Sequence, residues 1–98
     1  MKCDKCLRDF EERLLDCSHD IPKYMGGTDL DDRHWLCKSC HKKYELQVLA
    51  NCLKVLGVEI NFEKPPRYYM ALIKTLENNS KKICRKIAKE QREVFFNG

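Results

Sequence analysis

At 98 residues the chain has room for one small domain, or one small domain with an extension, and for only a modest core. A hydrophobic content of 43% beside 35% charged residues excludes a membrane-embedded chain and argues against disorder. The net charge of +4 is too mild to name a nucleic-acid partner by itself. No apolar run approaches the roughly 18 residues that span a bilayer. The start, Met1-Lys2-Cys3-Asp4, lacks the apolar core of a signal peptide, so a cytoplasmic location is expected.

In chain order, Cys3 to Cys6 predicts a tight knuckle. Phe10 to Leu15 is short and mixed. Cys17 to Tyr24 reads as one arm of a β-hairpin broken by Pro22, with Gly26-Gly27 as its turn, since glycine tolerates positive φ. Asp29 to Arg33 is a polar loop, and His34-Trp35-Leu36 leads into a second cysteine pair. From Lys38 the period changes. Tyr44, Val48, Leu49, Cys52, Leu53 and Leu56 recur at helical spacing, with Gly57 as the C-cap. Val58 to Phe62 is extended or a linker. Pro65-Pro66 opens a second helix, with Tyr69, Leu72, Ile73 and Leu76 as its apolar stripe. Asn78-Asn79-Ser80 suggests a break and a new N-cap before a last helix carrying Ile83, Ile87, Val94 and Phe95; the alternative is one continuous helix. The division expected is a module over residues 1–57 and a helical extension over 58–98.

Seven cysteines raise the question of disulfides. The odd count and the pairing of four of them at x2 spacing favour metal ligation instead. Cys3, Cys6, Cys37 and Cys40 form the frame C-x2-C-x30-C-x2-C-H. Zinc prefers four such ligands in a tetrahedron, and each Cys-x-x-Cys turn supplies one edge of it. The second pair stands at a helix start, where the dipole favours thiolates. A knuckle, a hairpin and a helix bringing two ligands in its first turn is the treble-clef arrangement. The fold expected is thus a small α+β domain with a structural Zn2+, followed by two C-terminal helices. Cys52 and Cys84 fall on helical patterns as buried small hydrophobes, and Cys17 reads as a packed thiol, with an extra metal ligand as the alternative.

His19 and His41 are not needed for that zinc. His41 adjoins Cys40, and the arm bearing His19 should cross the start of the same helix, so the two imidazoles could face each other across a groove. One neutral imidazole can bind a divalent metal while the other acts as general base on water. Phosphodiester hydrolysis needs both an activated water and a cation on the phosphate.

Ser18-His19-Asp20-Ile21-Pro22, Gly26-Gly27 and Leu36-Cys37-Lys38-Ser39-Cys40-His41 together resemble the HNH (ββα-metal) endonuclease family, in its zinc-framed branch. The resemblance covers residues 1 to 43. It implies His19 as general base, His41 as ligand of a catalytic Mg2+ or Mn2+ (Zn2+ also possible), and the residue before His19 as a further ligand. It places the loop-holding, base-orienting position on Asp32, with Asp31 as the alternative register. Two departures stand out. Ser18 occupies a position usually held by Asp or His, and Asp32 one usually held by Asn. Asp20 projects to the same side as Ser18 in an extended segment and could supply the carboxylate.

The resemblance implies DNA as partner, with RNA also open. Arg33, Lys38, Lys42 and Lys43 would contact phosphates, and His34 would pack or touch phosphate. Lys81, Lys82, Arg85, Lys86, Lys89 and Arg92 crowd the last helix, as a solvated face or an added nucleic-acid surface. The C-terminal helices could cap the core or form a homodimer through Tyr69, Leu72, Leu76 and Phe95. The rival readings are a zinc module that binds nucleic acid without cutting and a small zinc adaptor that binds protein.

Overall fold

Residues 1–28 and 32–97 are described by the computed structural model. The chain opens with the knuckle. Lys2 bridges to Asp9, the Cys3 N–H donates to Arg8 O at 3.1 Å, and the Leu7 N–H donates to Cys3 O at 2.9 Å. Closing so small a loop forces Leu7 to φ 62°, a left-handed conformation that a side chain disfavours. A 3-10 turn over Glu12–Leu14 then leads into strand β1, Leu15–His19.

β1 pairs antiparallel with β2, Arg33–Cys37, in the register Leu15↔Cys37 through His19↔Arg33. These two strands form a two-stranded sheet. The turn differs from the tight Gly-Gly reversal read from sequence. Strand pairing stops at His19, and the chain makes a long excursion from Asp20 to Asp32. A 3-10 turn over Lys23–Met25 lies within it and ends at Gly26, φ 95°. Gly27 is required for a different reason. A Cβ there would meet the Ile21 carbonyl oxygen at 1.9 Å, because the chain doubles back on itself. Met25 and Ile21, apolar residues of this excursion, are buried and anchor it in the core.

Helix α1, Lys38–Leu56, follows β2 without a linker, and Cys37 is its N-cap. Tyr44, Val48, Leu49, Cys52 and Leu53 are its buried stripe, as the helical period predicts. Gly57 ends it in the left-handed region, φ 74°, and the Val58 N–H returns to Leu53 O at 2.9 Å, closing a Schellman motif. Residues 58–65 form an irregular linker in which the Tyr69 hydroxyl bonds both the N–H and the carbonyl of Asn61. Helix α2, Pro66–Lys74, takes Pro66 at its first position and buries Tyr69 and Ile73. The break before the last helix falls at Thr75–Glu77, earlier than the Asn-Asn-Ser run. Helix α3 begins at Asn78 and continues to Asn97.

α3 packs along α1, and α2 covers the 3-10 turn of the hairpin excursion. One hydrophobic cluster joins Cys3, Leu15, Met25 and Leu36 to Tyr44, Leu53, Ile73, Cys84 and Phe95. Each large apolar side chain sealed in it contributes about 1.5–3 kcal/mol. Residues on both sides of position 57 therefore share a core. Tyr69 and Phe95, considered above for a dimer face, lie inside it, with Leu72 and Leu76 partly covered. No helix among the described residues is long and apolar enough to cross a membrane.

Candidate functional site

The four frame cysteines converge. Cys3 and Cys6 come from the knuckle, Cys37 from the end of β2 and Cys40 from the first turn of α1, and their ligand atoms all lie within 4.8 Å of one another. A zinc tetrahedron with Zn–S bonds of about 2.3 Å has edges of about 3.8 Å, so this spacing fits a structural metal such as zinc. The knuckle is fastened to β2 beside the site. The Asp4 N–H donates to Trp35 O at 2.8 Å, and the Trp35 N–H donates to Asp4 Oδ2 at 2.7 Å. Crowding splits the thiols in acidity. Burial and the neighbouring Cys37 and Cys3 push Cys40 up to about 12. Burial works to raise Cys3 also, yet the backbone N–H groups of Cys37, Cys6 and Lys5 bring it down to about 6. N–H groups aimed at sulfur favour thiolate, the form that ligates a metal. Among the described residues no other group of three or more His, Cys, Asp or Glu side chains is gathered this closely.

His41 sits one residue beyond that cluster and turns away from it. Its Nδ1 lies 2.9 Å from Asp16 Oδ2 and its Nε2 3.2 Å from Glu45 Oε1. The Glu45 contact first, and Asp16 with it, raise the imidazole to about 9 against the opposing effect of burial. Asp16 is held below the usual carboxylate range by Lys38 and by His41. A metal ion taking a nitrogen of His41 must displace one of these carboxylates or share it. Strand alternation puts Asp16 and Ser18 on one face of β1 and Cys17 and His19 on the other. His41 is seated on Asp16, and His19 is half-buried at the strand's last position.

The Ser18–Asp20 side is closed. Ser18 is 1% exposed and Asp20 2%, and Ser18 Oγ and Asp20 Oδ2 have no hydrogen-bond partner. Two orphaned oxygens two residues apart on one side are what a bound ion or water would satisfy. Asp20 is otherwise fully engaged. Its N–H donates to Asp32 O at 3.0 Å, its carbonyl accepts from the Tyr44 hydroxyl at 2.5 Å, and its Oδ1 lies 2.5 Å from His34 Nδ1. Arg92 Nη1 stands 3.5 Å from Asp20 Oδ2, an ion-pair contact without a hydrogen bond, and 2.6 Å from Asp32 Oδ2. Burial raises the Asp20 carboxyl above its ordinary range, with His34 and Arg92 pulling the other way.

Asp32 itself is exposed, and Asp31, the alternative register, lies outside the described residues. Arg33, Lys42 and Lys43 are exposed, and Lys38 is exposed while holding Asp16. His34 packs as expected, stacked on Phe96 with ring centroids 3.9 Å apart. A polar cavity of about 380 Å³ opens between the start of β2 and the last turns of α3, with Asp32, Arg33, His34 and Arg92 in its wall.

Four residues here were not singled out from sequence: Asp16, Glu45, Phe96 and Arg92 as a hairpin contact. Glu45 carried a local signal, since it lies four residues after His41 on one helix. Arg92 carried none, because it is 60 residues from Asp32 and read as one cation among six on α3. Compared with known protein families, curated proteins and solved structures, the chain matches none.

Proposed function

We propose that the chain is a zinc-framed treble-clef endonuclease of the HNH type that hydrolyses phosphodiester bonds in DNA. The observation that carries this reading is the run of two antiparallel strands directly into a helix, with His19 closing the first strand and His41 in the helix's first turn. The cysteine cluster pins the end of β2 and the helix start together beside His41, while His19 stands at the other end of the hairpin.

In this reading His19 accepts a proton from water, whose oxygen attacks phosphorus as the bond to the 3′ oxygen breaks. A divalent cation, Mg2+ or Mn2+, would supply the positive charge that the scissile phosphate needs. His41 would be a donor to it on giving up or sharing Asp16 or Glu45, and the orphaned Ser18 and Asp20 oxygens would join it once their closed side opens to the phosphate. Asp32 steadies the excursion through Arg92. Arg33, Lys38, Lys42 and Lys43 hold phosphates without reading sequence. Plasmid nicking with Mg2+ or Mn2+ tests this. Cleavage should require the added metal and disappear in His19→Ala.

A second reading, a module that binds nucleic acid without cutting, is favoured by the engagement of both His41 nitrogens and of the Asp20 carboxylate. Equal or absent cleavage by wild type and His19→Ala, with intact gel shifts, selects it.

A further inference from the structure

Asp20 is the residue next to His19, and its polar groups are gripped from three separate elements. Tyr44 of α1 holds its carbonyl, the Asp32 carbonyl accepts from its N–H, and His34 of β2 holds one carboxylate oxygen. Arg92 of α3 stands at the other oxygen and also grips the Asp32 carboxylate. The Asp20–Asp32 backbone bond extends the hairpin ladder one step past His19↔Arg33, and Arg92 joins the same two residues again through their side chains. Two carboxylates at the mouth of one long excursion repel each other. A guanidinium between them converts that repulsion into a clamp. Phe96, one turn further along α3, stacks on His34 and fixes the approach of the helix. Lys5, inside the knuckle, caps the Phe95 carbonyl and ties the same turn to the cysteine end.

We infer that Arg92 is a positioning residue for His19, setting the end of β1 through Asp20 and Asp32, so that α3 belongs to the functional site and not to an appended cap. The inference rests on His19 as the base. It assigns Arg92 no contact with the nucleic acid, which separates it from the lysines on the exposed face of α3. A displacement of the base by about 1 Å costs on the order of 100-fold in rate.

The test uses the full zinc-loaded chain. Arg92→Gln should lower kcat by about 10- to 100-fold with DNA affinity and its salt dependence nearly unchanged, and Arg92→Lys should restore part of the rate. The His19 Cε1–H signal, identified by its loss in His19→Ala, should shift in Arg92→Gln and move back in Arg92→Lys. A fall in DNA affinity, with a salt slope smaller by about one, would make Arg92 a phosphate contact and overturn the inference. So would an unmoved His19 signal, or loss of activity only in proportion to lost fold in both variants. Wild-type chain that cleaves no DNA removes the nuclease reading and this role with it. Wild-type cleavage matched by Arg92→Gln removes this role alone.

Discussion

The two ends of the hairpin are held by different physics. At the Leu15↔Cys37 end, four cysteines from the knuckle, β2 and α1 converge on one point, and a single ion of fixed geometry can bind them all. At the His19↔Arg33 end the strands are held by a dispersed set: a buried carboxylate just past β1, an imidazole of β2, a guanidinium of α3 and a tyrosine hydroxyl of α1. The first end depends on ligand identity and spacing. The second depends on the hairpin and two helices arriving in the right places. Metal removal should therefore cost the molecule far more than any one substitution at the far end, while chemistry should respond in the opposite order.

Cys37→Ser, or chelation, should have the largest effect. Structural zinc sites contribute about 10–16 kcal/mol in small modules, comparable with the whole stability of a domain. Zinc content should fall from about one per chain, and the N-terminal half should lose its circular dichroism signal. A chain that stays folded after chelation would break the contrast between the ends. Tyr44→Phe should come next. It removes the hydroxyl that satisfies the Asp20 carbonyl inside the core, and should lower stability by about 1–3 kcal/mol in urea titration without changing zinc content. A zinc loss there would mean that the two ends are coupled.

Leu7→Gly should act in the other direction. Leu7 is 66% exposed at φ 62°, so glycine removes a strained Cβ and sacrifices little packing. A gain of about 1 kcal/mol is expected, read as a higher denaturation midpoint. An unchanged midpoint would mean that the knuckle is held so firmly by the metal that its strain is not felt. The smallest effect should be that of His41→Ala on zinc. Since His41 turns to Asp16 and Glu45, zinc per chain should not move, and DNA cleavage alone should fall. Loss of zinc in this variant would place His41 in the wrong site.

Much of the cysteine end was legible in the residue order. The x2 spacing limits where two thiolates can point, and the helix that follows Cys37 announces itself by its period. The α1 boundary at Gly57 was legible for the same local reason, a left-handed cap that glycine adopts freely. The hairpin turn was not. Gly26-Gly27 has the composition of a tight reversal, yet Met25 and Ile21 are drawn into the core, and their burial pulls the chain into a longer excursion. Asp20 was read as projecting to the side of Ser18 and able to supply a carboxylate to the catalytic ion; its contacts with His34 and Arg92 were not legible.

What the sequence determined by itself was the cysteine frame, the helices and their buried stripes, because spacing and period act over a few residues and carry their own geometry. What only the tertiary structure decided was the surroundings of the candidate catalytic residues. Asp16 and Glu45 on His41, and Arg92 across Asp20 and Asp32, are contacts whose partners gain charge compensation only once the core has brought α3 and the hairpin together. A cation on a helix face has the same local sequence signal whether it ends in solvent or between two carboxylates, and it is the packing of Phe95 and Phe96 that turns Arg92 inward.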